Sequence, residues 1–274
     1  MNSRNQISMP VQQSSLTYKI ARAAEIYTRY YLKRDLPVLI YCTGRVGSIA
    51  MFYALYNRNA FVFKIEDMDP DNERGKRGTV KWVYQHIAKP RRPAKVIFIV
   101  RNPVALMVSD FLPKLHWMTG DENSYQTMSP EELSATFNEK YFAEGRHTDK
   151  LTWFEREPER FLGVDVYAHP FDREAGHTRF TTDLYDVLIV RTEMDDAVKS
   201  QIVGEFVGLP DLQITRTNVG ETNHYGAAYK AFKQALTIDA AHFQAIYASR
   251  YAQHFFGEAK LHEMNAQWAP TDMP

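Results

Sequence analysis

A glycine-bearing turn, Thr43-Gly44-Arg45-Val46-Gly47-Ser48, separates an apolar run at residues 36–41 from a segment of helical character at residues 49–57. Residues of these types in this order can bind an anion. The backbone N–H groups of a glycine turn entering a helix lack partners, and the helix N-terminus carries partial positive charge. Arg45 adds a full charge within the turn, and Ser48 adds a hydroxyl at the helix start. The plain alternative is an ordinary strand-to-helix turn in which glycine serves geometry alone. Better-known phosphate motifs do not fit. There is no Gly-Lys-Ser/Thr for a Walker A loop and no G-x-G-x-x-G for a dinucleotide turn. A cysteine phosphatase needs arginine six residues after its nucleophile, whereas Ser48 stands six after Cys42.

A second set of residues stands at the end of another apolar run. Arg101-Asn102-Pro103 leaves it, and Ser109 follows on the next helical stretch. An arginine and a serine so placed can hold a further phosphate through charge-assisted hydrogen bonds. A strand-end arginine paired with a surface carboxylate is the alternative.

Both sets need a scaffold that brings them to one edge. Strands are predicted at residues 36–41, 60–65, 95–101 and 185–191, the first continuously apolar as parallel strands tend to be. Helices are predicted at residues 15–34, with Ser14 or Ser15 as cap, and at 49–57, 79–88, 104–112 and 130–142. The last begins with Ser129-Pro130-Glu131-Glu132, a capping box with proline at the first helical position. Strands alternating with helices imply an α/β fold, a three-layer sandwich around a mostly parallel sheet, followed by a helical C-terminal region from residue 223. In such a sheet the C-terminal strand ends gather where ligands bind, so Arg45 and Arg101 should converge. The chain reads as one domain over residues 1–274, with 1–14 as a flexible leader.

The 274 residues balance 33 Lys+Arg against 33 Asp+Glu, which disfavours a dedicated nucleic-acid binder. The charge is unevenly spread: residues 74–101 hold nine Lys/Arg and no Asp or Glu. That stretch is either a solvated basic face or an attractor for a small polyanion. A lone cysteine, Cys42, suits a reducing compartment. No apolar run reaches the ~18 residues of a membrane helix, and residues 1–15 lack the apolar core of a signal peptide. The expectation is a cytoplasmic protein without a membrane span; association into a homo-oligomer stays open. No His/Cys spacing suggests a metal site.

Together, in this order, these motifs resemble the sulfotransferases that use 3′-phosphoadenosine 5′-phosphosulfate (PAPS), proteins of P-loop-like fold. Residues Thr43 to Ser48 look like that family's 5′-phosphosulfate loop in its arginine form. Val100-Arg101-Asn102-Pro103 with Ser109 looks like its 3′-phosphate motif, and Leu188-Ile189-Val190-Arg191-Thr192-Glu193 resembles its R-Y-E-D strand. Asn223-His224, Tyr229-Lys230, Phe232-Lys233 and residues 251–256 resemble a bacterial branch of capsular polysaccharide synthesis proteins.

The resemblance implies sulfuryl transfer from PAPS to a hydroxyl or amine of a carbohydrate or small metabolite, releasing adenosine 3′,5′-bisphosphate, without a metal. It places Thr43, Gly44, Arg45, Val46, Gly47, Ser48 and Ile49 around the 5′ end and Arg101 with Ser109 on the 3′-phosphate. Thr192 stands where many members have tyrosine beside the adenine, and Asn218 and Gly220 are offered as a late phosphate-side loop. The family's base often follows the second strand, which points to Glu66. The competing account of Glu66 is a solvated acid paired with Lys64 or Arg58. His86 and then His116 are the next candidates, whereas Glu193 reads as the anchor of a structural hydrogen bond. Trp117 and Tyr125 could stack an acceptor. Two other readings remain: a non-catalytic nucleotide-binding subunit of polysaccharide assembly, and an ATP-dependent phosphotransferase.

Overall fold

The strand predicted at residues 36–41 forms over Val38–Tyr41 (β1), where Leu39, Ile40 and Tyr41 are fully buried. Burial on both faces is what a central parallel strand requires. The computed structural model describes residues 16–215 and 224–269. Around β1 a five-stranded sheet runs in the order β2-β1-β3-β5-β4, with β2 at Val62–Ile65, β3 at Ala94–Val100, β4 at His177–Thr181 and β5 at Tyr185–Arg191. β2, β1, β3 and β5 are mutually parallel, with Leu39 opposite Phe63 and Val96. β4 pairs antiparallel with β5 at the edge and lies outside the predicted strands: its sequence, His-Thr-Arg-Phe-Thr, has no apolar run, and its residues are half-buried or exposed.

The helices are α1 (Leu16–Tyr27), α2 (Ser48–Asn57), α3 (Gly78–Val83), α4 (Pro103–Thr119), α5 (Ser124–Thr127), α6 (Pro130–Thr136), α7 (Arg146–Leu151) and α8 (Asp196–Val207). The helical C-terminal region is α9 (Gly226–Ala235), α10 (Ala240–Tyr247), α11 (Arg250–Phe255) and α12 (Glu258–Asn265). Residues 1–37 and 38–274 form two separate units. In the first, α1 runs on into a π-helical turn, Thr28–Leu32, and Arg29 pairs with Asp35 at 2.7 Å. The caps predicted at Ser14 and Ser15 lie outside the described residues. The second unit contains the whole sheet, and both its faces are covered. Ile40, Cys42, Ile97, Ile99, Leu188 and Val190 pack with Met51 and Leu55 of α2 and with Val203 and Phe206 of α8. On the opposite face the Tyr41 ring meets Trp153 at 5.1 Å, and Phe98 meets Phe154 at 5.4 Å. No described helix is long and apolar enough to cross a membrane.

Several helices depart from their predicted ends. α4 continues through Pro113 to Thr119 and stops at Gly120, whose φ of 77° closes it. A proline there removes one backbone hydrogen bond, but Phe111, Leu112 and Leu115 are buried on either side and hold the helix. The segment predicted at 130–142 has its capping box at Ser129 and Glu132, then changes to a π-helical turn at Phe137–Tyr141.

One buried acid ties β1 to the chain beyond α7. Glu157 Oε2 accepts from Tyr41 Oη at 2.5 Å and from the Met68 N–H at 2.8 Å. Burial pushes its carboxyl up to about 7, and the two hydrogen bonds only partly oppose this. The folded state therefore holds a proton that an unfolded glutamate has already lost, and stability falls as pH rises from the ordinary glutamate value through 7. Urea unfolding should show this as a loss of about 2–3 kcal/mol between pH 5 and 8, absent in Glu157→Gln. An equal slope in the variant would assign it to another group.

Candidate functional site

The turn after β1 has two left-handed residues, Arg45 with φ 72° and Gly47 with φ 80°. Glycine adopts this conformation freely, whereas arginine does so at a cost, and backbone strain of this kind collects at ligand clamps. Gly47 is the N-cap of α2 and has no side chain to satisfy the first helical N–H groups. Ser48 opens the helix and is buried, with its hydroxyl against the Cys42 thiol. Burial pushes that thiol up to about 12, with Ser48 opposing, so Cys42 stays a protonated core residue. The Arg45 side chain is exposed, and among the described residues no carboxylate pairs with it.

Arg101 joins this turn to α4. Its Nη1 donates to the Arg45 carbonyl at 2.6 Å and to Ser109 Oγ at 2.9 Å. Its backbone is held from both sides by buried Tyr251, whose hydroxyl accepts from the Arg101 N–H at 2.9 Å and donates to the Arg101 carbonyl at 2.8 Å. Asn102 caps α4, accepting from the Val104 N–H at 3.0 Å, and its own N–H donates to Glu193 Oε1 at 2.7 Å. Glu193 thus has the structural role expected of it, and burial raises its carboxyl. Thr192, at the end of β5, donates from Oγ1 to the Val46 carbonyl at 3.0 Å. Three strand ends therefore meet at one loop.

Glu66 follows β2 and abuts the same loop: a Cβ on Gly44 would sit 3.5 Å from Glu66 Oε2. Its carboxylate accepts from Lys64 at 2.5 Å and from Arg74 at 3.1 Å, whereas Arg58 donates elsewhere, to the Asp211 carbonyl. Burial pushes the Glu66 carboxyl up, but Lys64, Arg74 and Lys150 together outweigh it and hold the group below the ordinary range. Glu66 is therefore ionised at neutral pH.

The other candidates fall differently. His86 sits on the π-helical turn Tyr84–Ala88 that leads into the start of β3, the opposite edge from the loop. Its ring stacks on Trp82 at 5.0 Å, and Trp82 stacks on Phe63 at 5.2 Å. This corrects the second-choice assignment of the base: the helix after β2 runs back along the sheet and carries His86 away from the loop. His116 lies near the far end of α4, against Trp117. Trp117 is 56% exposed and lies beneath the Arg146 guanidinium at 5.1 Å. Ile49 is the second residue of α2. Asn218 and Gly220 lie outside the described residues.

Lys150 joins the site without having been singled out by any motif. It lies on α7, is 7% exposed, and its Nζ is 3.3 Å from both Thr43 Oγ1 and Asp110 Oδ1. Asp110 also pairs with Lys114 at 2.5 Å and accepts from Tyr141 at 3.3 Å. Burial lowers the Lys150 ammonium pKa, with Asp110 opposing. Its signal in the sequence is faint: a lysine shortly before Leu151, Trp153 and Phe154, in a stretch where no element is predicted.

This edge can bind an anion at the turn through exposed backbone N–H groups and Arg45, and a second at Arg101 and Ser109, with an ionised carboxylate alongside. Residues 135–257, less than half of the chain, match the family model described as "NKWYS: Putative capsular polysaccharide synthesis protein". That span contains Lys150, Thr192 and Tyr251. No curated protein and no solved structure matches the chain.

Proposed function

We propose that the chain transfers a sulfuryl group from PAPS to a hydroxyl or amine of a carbohydrate acceptor, releasing adenosine 3′,5′-bisphosphate. One observation carries this reading: Arg101 touches both Ser109 and the Arg45 carbonyl, so two anion-binding clusters meet at one strand edge. A nucleotide with phosphate groups at its 3′ and 5′ ends presents that pair of charges. An ATP phosphotransferase needs instead a lysine after the loop's second glycine, and Ser48 stands there.

The residues present suit PAPS. The N–H groups at the start of α2, with Arg45, would hold its 5′ phosphosulfate, and Arg101 with Ser109 its 3′-phosphate. PAPS supplies the activated sulfur–oxygen bond. Arg45 and the turn oppose the charge that builds on the phosphate oxygen as that bond opens, and Lys150 adds positive charge beneath Thr43. Arginine cannot donate a proton here, so Arg45 acts by charge and position alone. Glu66, already ionised, takes the proton that the acceptor hydroxyl loses. Orientation and electrostatics of this kind dominate group transfers in which the protein makes no covalent bond. The family match supports a carbohydrate acceptor.

Incubation of the full chain with sulfur-labelled PAPS and a panel of capsular saccharide fragments should move label to a saccharide. Tight binding of adenosine 3′,5′-bisphosphate with no transfer to any saccharide, phenol or amine would favour the non-catalytic subunit.

A further inference from the structure

Asp110 stands one residue after Ser109 on α4, and the two hold different residues of the turn after β1. Ser109 accepts from Arg101 Nη1, which also supports the Arg45 carbonyl. Asp110 Oδ1 lies 3.3 Å from Lys150 Nζ, and the same ammonium donates to Thr43 Oγ1 at 3.3 Å. Lys150 thus holds the first residue of the turn, and Arg101 holds the third. Between them lies Gly44, with Glu66 Oε2 against it. The segment that carries Lys150 also reaches Glu66 itself: Trp153 Nε1 donates to the Glu66 carbonyl at 3.0 Å.

Asp110 does not need Lys150 for its own charge. Its Oδ2 accepts from Lys114 at 2.5 Å and from Tyr141 Oη at 3.3 Å. Adding Lys150 puts two ammonium groups on one carboxylate that is 3% exposed, so the cluster carries one positive charge in excess. Burial of such a charge costs free energy, and an apolar side chain would fill the same place without that cost. Unmatched buried charge collects at functional sites, and here it stands next to one. The Thr43 hydroxyl can only accept from an ammonium, so this contact fixes its orientation. Lys150 also acts across space on Glu66, where it opposes the effect of burial. The groups whose charge acts most on Glu66 are Lys64 of β2, Arg74 of the following loop and Lys150 of α7, while the nearby Cys42 thiol stays protonated. Those acting most on Lys150 are Asp110 and Lys114 of α4 and Glu66.

We infer that Lys150 is a positioning residue of the site: held by Asp110, it fixes Thr43 and sets the turn after β1 against Glu66. The inference rests on the sulfotransferase reading, in which this turn holds the 5′-phosphosulfate and Glu66 takes the acceptor's proton. By this assignment Lys150 touches neither reactant. It acts through Thr43 on the place of the 5′ group, and through its charge on the ionised state of Glu66. Arginine in its place would keep the charge but bring a broader head into a packed site.

The test pairs calorimetric titration of the full chain with adenosine 3′,5′-bisphosphate and carbon-13 NMR titration of the Glu66 carboxyl, assigned by its loss in Glu66→Gln. Lys150→Met should weaken bisphosphate binding at least ~10-fold, the effect of about one charge-assisted contact. In a Thr43→Val background the same substitution should cost a smaller factor, because the contact it removes is already gone. The Glu66 titration should move to higher pH in Lys150→Met and return toward its parent position in Lys150→Arg. A purely structural lysine would give equal factors in both backgrounds and an unmoved Glu66, which would overturn the inference. Should Lys150→Met fail to fold, Thr43→Val should reproduce the loss of affinity and Thr43→Ser, which keeps the hydroxyl, should not; equal affinities in these two would overturn it. A parent that binds no bisphosphate overturns the function and this inference with it. Parent binding matched by Lys150→Met overturns the inference alone.

Discussion

Arg101→Ala should weaken binding of adenosine 3′,5′-bisphosphate by at least ~100-fold, since charged hydrogen bonds contribute ~1.5–3 kcal/mol each and this arginine faces a phosphate. The loss has two parts. One is the guanidinium itself, which with Ser109 would hold the 3′-phosphate. The other is the loop, because Arg101 Nη1 supports the Arg45 carbonyl in a strained, left-handed stretch. Lysine at the same place retains the charge but not the planar guanidinium, which donates from Nη1 to Arg45 and Ser109 and keeps its other N–H groups for a phosphate. Arg101→Lys should therefore recover only part of the affinity. The Arg101 backbone is fixed by Tyr251 through main-chain groups, so the substitution should leave the melting temperature within a few degrees of the parent. Unchanged nucleotide affinity in a folded Arg101→Ala would remove the observation on which the function rests.

The second large effect concerns the base. Glu66→Gln should lower kcat by ~10²–10⁴-fold, the usual contribution of a positioned general base, while leaving nucleotide affinity near that of the parent. Glutamine keeps the size of the side chain and can still accept from Lys64 or Arg74, but it cannot take the acceptor's proton. The pH profile gives a second readout. The surrounding cations hold Glu66 below the ordinary carboxylate range, so it is ionised at and above that range. Activity should consequently persist on the acid side and decline only once pH falls through the lowered value. Near-normal turnover in Glu66→Gln, or an acid limb at neutral pH, would assign the base elsewhere, and His86 is poorly placed to receive it.

The division between what the sequence made legible and what it hid follows from locality. The turn after β1, the Arg101-Asn102-Pro103 exit and Ser109 eight residues on are short motifs, and their meeting follows from the parallel strands that carry them. β1, β3 and β5 were legible because their central stretches, Val38–Tyr41, Val96–Val100 and Val187–Val190, are buried on both faces and so are apolar. β4, an edge strand with mixed residues, left no such trace. Lys150 and Tyr251 act over long sequence separations: one reaches Thr43 across 107 residues and the other clamps Arg101 across 150. Nothing in their own neighbourhoods marks a lysine or a tyrosine for those tasks. Glu66 and His86 both flank predicted strands, but only the end of the strand on which each falls decides whether it reaches the loop. That Arg191 Nε and Nη1 find no partner is a property of packing alone, invisible before the fold is known.

Calorimetric titration of the full chain with adenosine 3′,5′-bisphosphate and, separately, with ATP and magnesium tests the assigned function most directly. The bisphosphate should bind at micromolar concentration and ATP at least ~100-fold more weakly, a difference of about 2.7 kcal/mol. ATP with magnesium binding as tightly as the bisphosphate, or more tightly, would contradict the sulfotransferase assignment.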